Sequence, residues 1–135
     1  MKYKFVLLEI DKIREHEETY PERAKALAEE IKKDGTLKIP MLVDDRYYIL
    51  LDGHHRFQAL KILGCRRIPA FLVDYFDDGI SVGVWEDAIA RGKTSITKEE
   101  IIEIALKGKK FQPKTSRHFW EAKPKPIEVK LEELI

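Results

Sequence analysis

From Tyr3 to Phe76, strand-like apolar runs take turns with segments of helical period, and this alternation most restricts what the chain can become. "YKFVLLEI" (3–10) reads as a first strand. "DKIREHEETYPE" (11–22) is a charged connector whose Pro21 suits the first turn of a helix. Ala24, Leu27, Ala28 and Ile31 then recur at helical spacing until "KKDG" stops the helix at Gly35. "IPMLVDDRYYILLD" (39–52) reads as two short strands around a tight acidic turn. Phe57, Leu60 and Leu63 form the stripe of a second helix, flanked by Ala59 and Ile62 and capped by Gly64. "RRIPAFLVDYF" (66–76) is another strand, and the alternation argues for a mixed sheet packed with helices.

The second half is less regular. "DDGISVGVWEDAIARGKT" (77–94) reads as a turn, a short strand and a short helical piece. Thr97 and Glu100 match a capping box ahead of the helix "KEEIIEIALKG" (98–108). The tail from Lys110 has three prolines after a basic cluster and ends in the strand-like "IEVKL" (127–131). With no repeat and no long linker, the 135 residues read as one domain over 1–135, and a 44% hydrophobic fraction supplies its core. No apolar run approaches a membrane span and no secretory leader stands at the start, so a cytoplasmic location is expected. The lone Cys65 excludes an internal disulfide and reads as a small residue in a turn. A net charge of +1 from 25 basic and 24 acidic residues leaves no electrostatic footprint for nucleic acid. Many charged residues, no asparagine and two glutamines point to a hot environment.

Three clusters offer chemistry. In "ILLDGHHRFQALKILG" (49–64) a strand hands over to a helix at an acid, a glycine, two histidines and an arginine. Gly53 permits a tight turn, and His54, His55 and Arg56 occupy the helix start. Free N–H groups and the positive dipole end there suit a phosphate, with Arg56 as a forked donor and a histidine as donor to developing charge. Asp52 is placed to hold magnesium or accept a proton; the competing reading has Asp52 capping the helix and the histidines facing solvent. The second cluster is "REHEE" (14–18), by itself a solvated charged loop unless the fold positions one glutamate as a base. The third, "FQPKTSRHFW" (111–120), mixes lysine, hydroxyls, arginine and histidine suited to a carboxylate or phosphate; contact with RNA and a plain solvated tail are its alternatives. Trp85 reads as a core residue. No ligand spacing for a structural zinc, no Walker A loop and no dinucleotide fingerprint occurs.

The strand ending in "DGHHR", the helix ending in "LG" and the following "RRIPAFLVDYFD" resemble the ParB/sulfiredoxin-like superfamily. With "REHEE", "YFDDGISVGVW" and "FQPKTSRH…IEVKLEEL" in the same order, the chain is most similar to its free serine kinases of archaea. The resemblance implies an α+β fold, a ParB/sulfiredoxin-like mixed β-sheet packed with helices in a single compact domain. It implies transfer of a phosphoryl group from ATP or ADP, with Mg2+, to the hydroxyl of free L-serine, giving O-phosphoserine. It assigns Glu17 as the base, Asp52 as the acid beside the phosphate and the metal, and Gly53, His54, His55 and Arg56 as the phosphate cradle, His55 being also catalytic. It places Trp85 at the serine pocket and Thr115, Ser116, Arg117 and His118 in a substrate-binding tail motif within about 111–135. The chain departs from that pattern between Trp85 and the tail, where it is shorter. It departs again at Ser116, where a second threonine is expected, and at Pro21 and Arg23 beyond the base. The alternatives are a ParB-like nucleotide-binding module without turnover, or a nucleic-acid-associated protein, for which no helix-turn-helix is present. A sulfiredoxin-like reductase needs a cysteine where His54 stands; Cys65 lies at the far end of the helix. The choice between ATP and ADP, the true acceptor and the oligomeric state stay open at this level.

Overall fold

Apolar runs that lack strict alternation belong to strands buried on both faces, and the central sheet is built from them. The computed structural model describes residues 2–135, so Met1 of the expected 1–135 domain lies outside the described residues. β1 (Tyr3–Glu9), β5 (Arg67–Val73), β3 (Met41–Asp44) and β4 (Leu50–Asp52) lie side by side in that order. β1 and β5 are antiparallel, β5 and β3 parallel, and β3 and β4 antiparallel, so the sheet is mixed. Successive side chains alternate between two cores. Met41, Val43, Leu50, Ile68 and Ala70 enter one; Leu42, Ile49, Leu51, Phe71 and Val73 enter the other.

The first core is covered by α1 (Pro21–Asp34) and α2 (His54–Ile62), which pack on each other. α1 begins with Pro21 at its first position and ends at Gly35, whose φ of 72° permits the left-handed cap. The second core is closed by β6 (Ile80–Val84), β7 (Ser116–Trp120) and α4 (Lys98–Leu106), where Thr97 and Glu100 form the expected capping box. α3 (Glu86–Ala90) is the short helical piece expected after Trp85.

The tail differs from its sequence reading. Residues 116–120 form β7, antiparallel to β6 with Val84 opposite Ser116 and Val82 opposite His118. The alternation of polar and apolar residues there is weak, so the strand emerges only from its partner. The strand expected over 127–131 shortens to β8 (Val129–Lys130), which pairs with β2 (Thr36–Leu37) just after α1. The tail thus crosses the molecule in order: β7 builds one wall of a cleft and β8 closes the first core through Val129.

Candidate active site

After a single 3-10 turn at Ile10–Lys12, the connector between β1 and α1 is held by isolated bridges at Arg14 and Glu17 although it belongs to no sheet. The Arg14 N–H donates to Tyr48 O at 2.9 Å, and Leu50 N–H returns a bond to Arg14 O at 2.8 Å. Further along, Phe111 N–H donates to His16 O and Glu18 N–H to Phe111 O, each at 2.8 Å. Glu17 is pinned between these anchors, 8% exposed. Its Oε1 accepts from Thr115 N–H (3.1 Å), Ser116 N–H (2.8 Å) and the Ser116 hydroxyl (3.0 Å). The Glu17 side chain, held through this oxygen, borders the cleft. Burial pushes the Glu17 carboxyl above its ordinary range, against the hydrogen bonds from Ser116, Thr115 and Lys114 that pull it down. A carboxylate that is desolvated and yet held in place has the character of a general base.

The other wall is the turn from β4 into α2. Gly53 adopts φ 107°, and a Cβ there would come within 2.7 Å of Met41 Cγ, so the turn admits glycine alone without strain. The first helical bond is Phe57 N–H to Gly53 O at 2.8 Å, which leaves the N–H groups of residues 54–56 ahead of it at the helix start. The Asp52 side chain is 60% exposed and does not cap the helix. It faces one cation, Arg56, at 3.5 Å.

The side chains after Gly53 do other work than the sequence suggested. His54 is buried, and its Nε2 accepts from His16 N–H at 3.2 Å. His55 Nε2 accepts from Tyr20 N–H at 3.1 Å, and its ring stacks on Tyr20. Both imidazoles therefore staple the Glu17 segment to α2, and burial lowers the pKa of each, which keeps Nε2 free to accept. Arg56 donates from one nitrogen to Ile39 O (2.7 Å) and Pro40 O (2.9 Å), so much of its fork is committed to backbone rather than free for phosphate. What this turn offers an anion is mainly backbone N–H groups and the helix dipole.

β7 supplies the third side. Thr115 and Ser116 are buried behind Glu17, where the sequence reading had them touching substrate. The Thr115 hydroxyl donates to Gln112 O at 2.6 Å and accepts from Arg91 at 3.1 Å. The Ser116 hydroxyl lies between Glu17 Oε1 and His16 Nε2, 2.8 Å from the latter. Arg117 lies over the Trp85 ring at 4.4 Å and Lys114 over the same ring at 4.5 Å, so Trp85 is a wall of the cleft and not a core residue. His118 receives the phenol of Tyr75 on Nε2 at 2.7 Å; burial raises the Tyr75 pKa, which keeps that phenol a donor. Burial and Lys98 hold His118 down to about 3, so the ring is neutral, and a phenol that donates to Nε2 leaves the ring proton on Nδ1. That Nδ1 is the one buried side-chain nitrogen or oxygen without a hydrogen-bond partner among the described residues.

One cleft of about 660 Å³ gathers Glu17, Asp52, Gly53, His54, His55, Arg56, Trp85, Ser116, Arg117 and His118. Of the expected site residues Thr115 alone does not line it. α1 adds Arg23, Leu27 and Glu30, and the β7 side adds Lys114. Helical spacing put Leu27 in the apolar stripe of α1 and left Glu30 unmarked, so neither read as a cleft residue. A smaller cleft of about 430 Å³ shares Asp52 and His118 and extends toward Phe71, Ser81 and Trp120. Among the described residues no group of three or more acids, histidines or cysteines converges as a metal cage.

The ParB N-terminal domain model matches residues 4–84. An ATP-dependent L-serine kinase of Staphylothermus marinus is 37% identical over 99 residues, which cover 70% of this chain and 39% of that protein. An ADP-dependent L-serine kinase, SerK, of Thermococcus kodakarensis is 31% identical over 110 residues, 76% of this chain and 46% of that protein. The chain thus spans less than half the length of these curated relatives. The solved structure of a free serine kinase in complex with AMP superposes with a TM-score of 0.84 at 23% identity, covering 97% of this chain and 93% of that one. At that identity the likeness establishes the fold: an α+β arrangement of a mixed sheet with helices. No helix among the described residues is long and apolar enough to cross a membrane.

Proposed function

The chain belongs to the ParB N-terminal domain family, and from that premise we propose that it is a nucleotide-dependent kinase of free L-serine. Its 31–37% identity to ATP- and ADP-dependent L-serine kinases supports this substrate pair. The observation that carries the reading is a convergence: a desolvated, backbone-held Glu17 opens on the same cleft as the unpaired N–H groups at the start of α2.

The nucleotide phosphates lie over residues 53–56, with the helix dipole and backbone N–H groups facing them. Glu17 takes the proton of the serine hydroxyl as its oxygen attacks the terminal phosphorus; the bond from that phosphorus to the bridging oxygen breaks, and the shorter nucleotide leaves. Products are O-phosphoserine and ADP from ATP, or AMP from ADP. Arg117 and the Nδ1–H of His118 hold the carboxylate of the amino acid, and Trp85 orients Arg117. Thr115 and Ser116 act behind Glu17. The open carboxylate of Asp52 fits magnesium, which takes one or two carboxylates and completes its shell with water and phosphate oxygens. Magnesium there supplies neutralisation of phosphate charge. The reaction occupies one domain, with the 111–135 tail as part of its site.

The test is product formation. The purified chain, incubated hot with magnesium, L-serine and either ATP or ADP, yields phosphoserine detectable by mass, and the productive nucleotide identifies the donor. Protection by nucleotide without phosphoserine would leave a ParB-like binding module without turnover, or another acceptor. A protein that neither turns over nor binds nucleotide would refute the reading.

A further inference from the structure

Behind Glu17 lies a hydrogen-bonded row that the phosphoryl transfer does not itself require. His16, with no exposed surface, has Nδ1 2.7 Å from Leu50 O. A carbonyl only accepts, so Nδ1 carries the proton. The ring is neutral: burial, then the nearby His118 imidazole, hold it down to about 3. Nε2 is therefore a bare acceptor, 2.8 Å from the Ser116 hydroxyl. The same hydroxyl is 3.0 Å from Glu17 Oε1. One hydroxyl proton thus faces two acceptors, and only one can have it at a time.

We infer that His16 and Ser116 are a positioning pair that sets the proton affinity of Glu17: the hydroxyl donates to Oε1 while Glu17 is a carboxylate and turns to His16 Nε2 once Glu17 is protonated. The energetics follow from which acceptor is stronger. A carboxylate oxygen attracts the hydroxyl more strongly than a neutral imidazole does. A carboxylic acid, protonated on Oε2, leaves at Oε1 a weaker, carbonyl-type acceptor that still keeps the N–H groups of Thr115 and Ser116. The hydroxyl then gains by turning to the imidazole. His16 thereby stabilises the protonated form of Glu17 selectively and makes it a better base. No proton passes along the row. The hydroxyl hydrogen rotates, and the proton taken from substrate stays on Glu17 until it leaves to solvent. The rings of His54 at 4.5 Å and His118 at 5.9 Å face His16, Lys114 stands beside Glu17 through its backbone, Glu15, Glu18 and Lys110 border Glu17 on one side, and Arg23 and Arg117 share the cleft with it on the other.

This inference borrows its catalytic meaning from Glu17 as the base, but its test does not depend on turnover. Histidine nitrogens and glutamate carboxyl carbons are isotope-labelled, and the full chain is titrated by NMR. Glu17→Gln assigns the carboxyl signal. The expected result is that the His16 Nε2 resonance shifts at the Glu17 midpoint while Nδ1 stays protonated throughout. Ser116→Ala abolishes that linked shift, and His16→Phe moves the Glu17 midpoint down only while Ser116 is present. An Nε2 that carries a proton across the whole range, or that is unmoved as Glu17 titrates, overturns the proposal. If His16→Phe does not fold, the titration of the unmodified chain still decides. Phosphoserine formation with a silent Nε2 would keep the kinase and remove the switch; a linked Nε2 without phosphoserine would keep the switch and remove the kinase.

Discussion

Glu17 and Asp52 are two acids of one cleft, held in opposite ways. Glu17 sits on an irregular segment, 8% exposed, with three donors on one oxygen. Asp52 sits at the end of a regular strand, its side chain 60% exposed beside one arginine at 3.5 Å. The difference matches the two tasks proposed for them. A base for a hydroxyl gains from desolvation, which raises its proton affinity toward working pH, whereas an acid that helps hold a hydrated cation has to stay ionised and reachable. Irregular backbone can bury a carboxylate deeply because anchors at Tyr48, Leu50 and Phe111 satisfy its main chain. Asp52 is the one exposed residue of β4, following the buried Leu50 and Leu51.

The comparison breaks first at Glu17. Glu17→Gln keeps an amide oxygen for the three donors and removes the base, so the proposed turnover falls roughly a hundred- to ten-thousandfold while nucleotide binding persists. A variant with near-normal phosphoserine production would remove Glu17 from the chemistry. Asp52→Asn has a smaller effect, a loss of about ten- to a hundredfold together with a weaker response to magnesium. Should the magnesium titration curve of that variant overlay the parent's, Asp52 holds no metal. His118→Ala removes one unpartnered donor and raises the KM for serine about three- to tenfold, with less effect on the nucleotide KM. Equal changes in both constants would move His118 out of the acceptor pocket.

The smallest effect sharpens the contrast through stability. Folded Glu17 keeps its proton to higher pH than it does in the unfolded chain. Its contribution to stability is complete below the unfolded value and is lost as pH rises through the folded one. Glu17→Gln therefore raises Tm at neutral pH, and the gain disappears under acid conditions. Asp52→Asn, at an exposed side chain, changes Tm by less than Glu17→Gln does. Thermal melts of both variants against pH, with the parent turnover falling as Glu17 protonates on the acid side, check the whole pattern.

Local regularity was legible beforehand. α1 with Pro21 and Gly35, the start of α2 after Gly53 and the Thr97 capping box follow from propensity and capping that act within a few residues. The mixed sheet was legible as alternating elements, and the "DGHHR" turn as a helix start of the kind that suits a phosphate. Other roles were hidden. His54 and His55 read as ligands for a phosphate, but their Nε2 atoms are occupied by N–H groups of residues 16 and 20. Thr115 and Ser116 read as substrate contacts, but they serve a carboxylate about a hundred residues away, the separation of Ser116 from Glu17 being 99. Glu30 gave no sign of facing the cleft, and His16 none of its place in the row behind Glu17, because nothing within a turn of them says what lies opposite.

The sequence by itself determined the elements, the glycine that lets β4 turn into α2, and the residue types available to a phosphate site. These depend on steric and hydrogen-bonding preferences that neighbouring residues satisfy among themselves. The tertiary structure alone decided which of two acids is buried, which histidines accept rather than donate, and that β7 stands behind Glu17. Those outcomes turn on desolvation and on unique donor–acceptor pairs, and both exist only after distant segments have closed on one another.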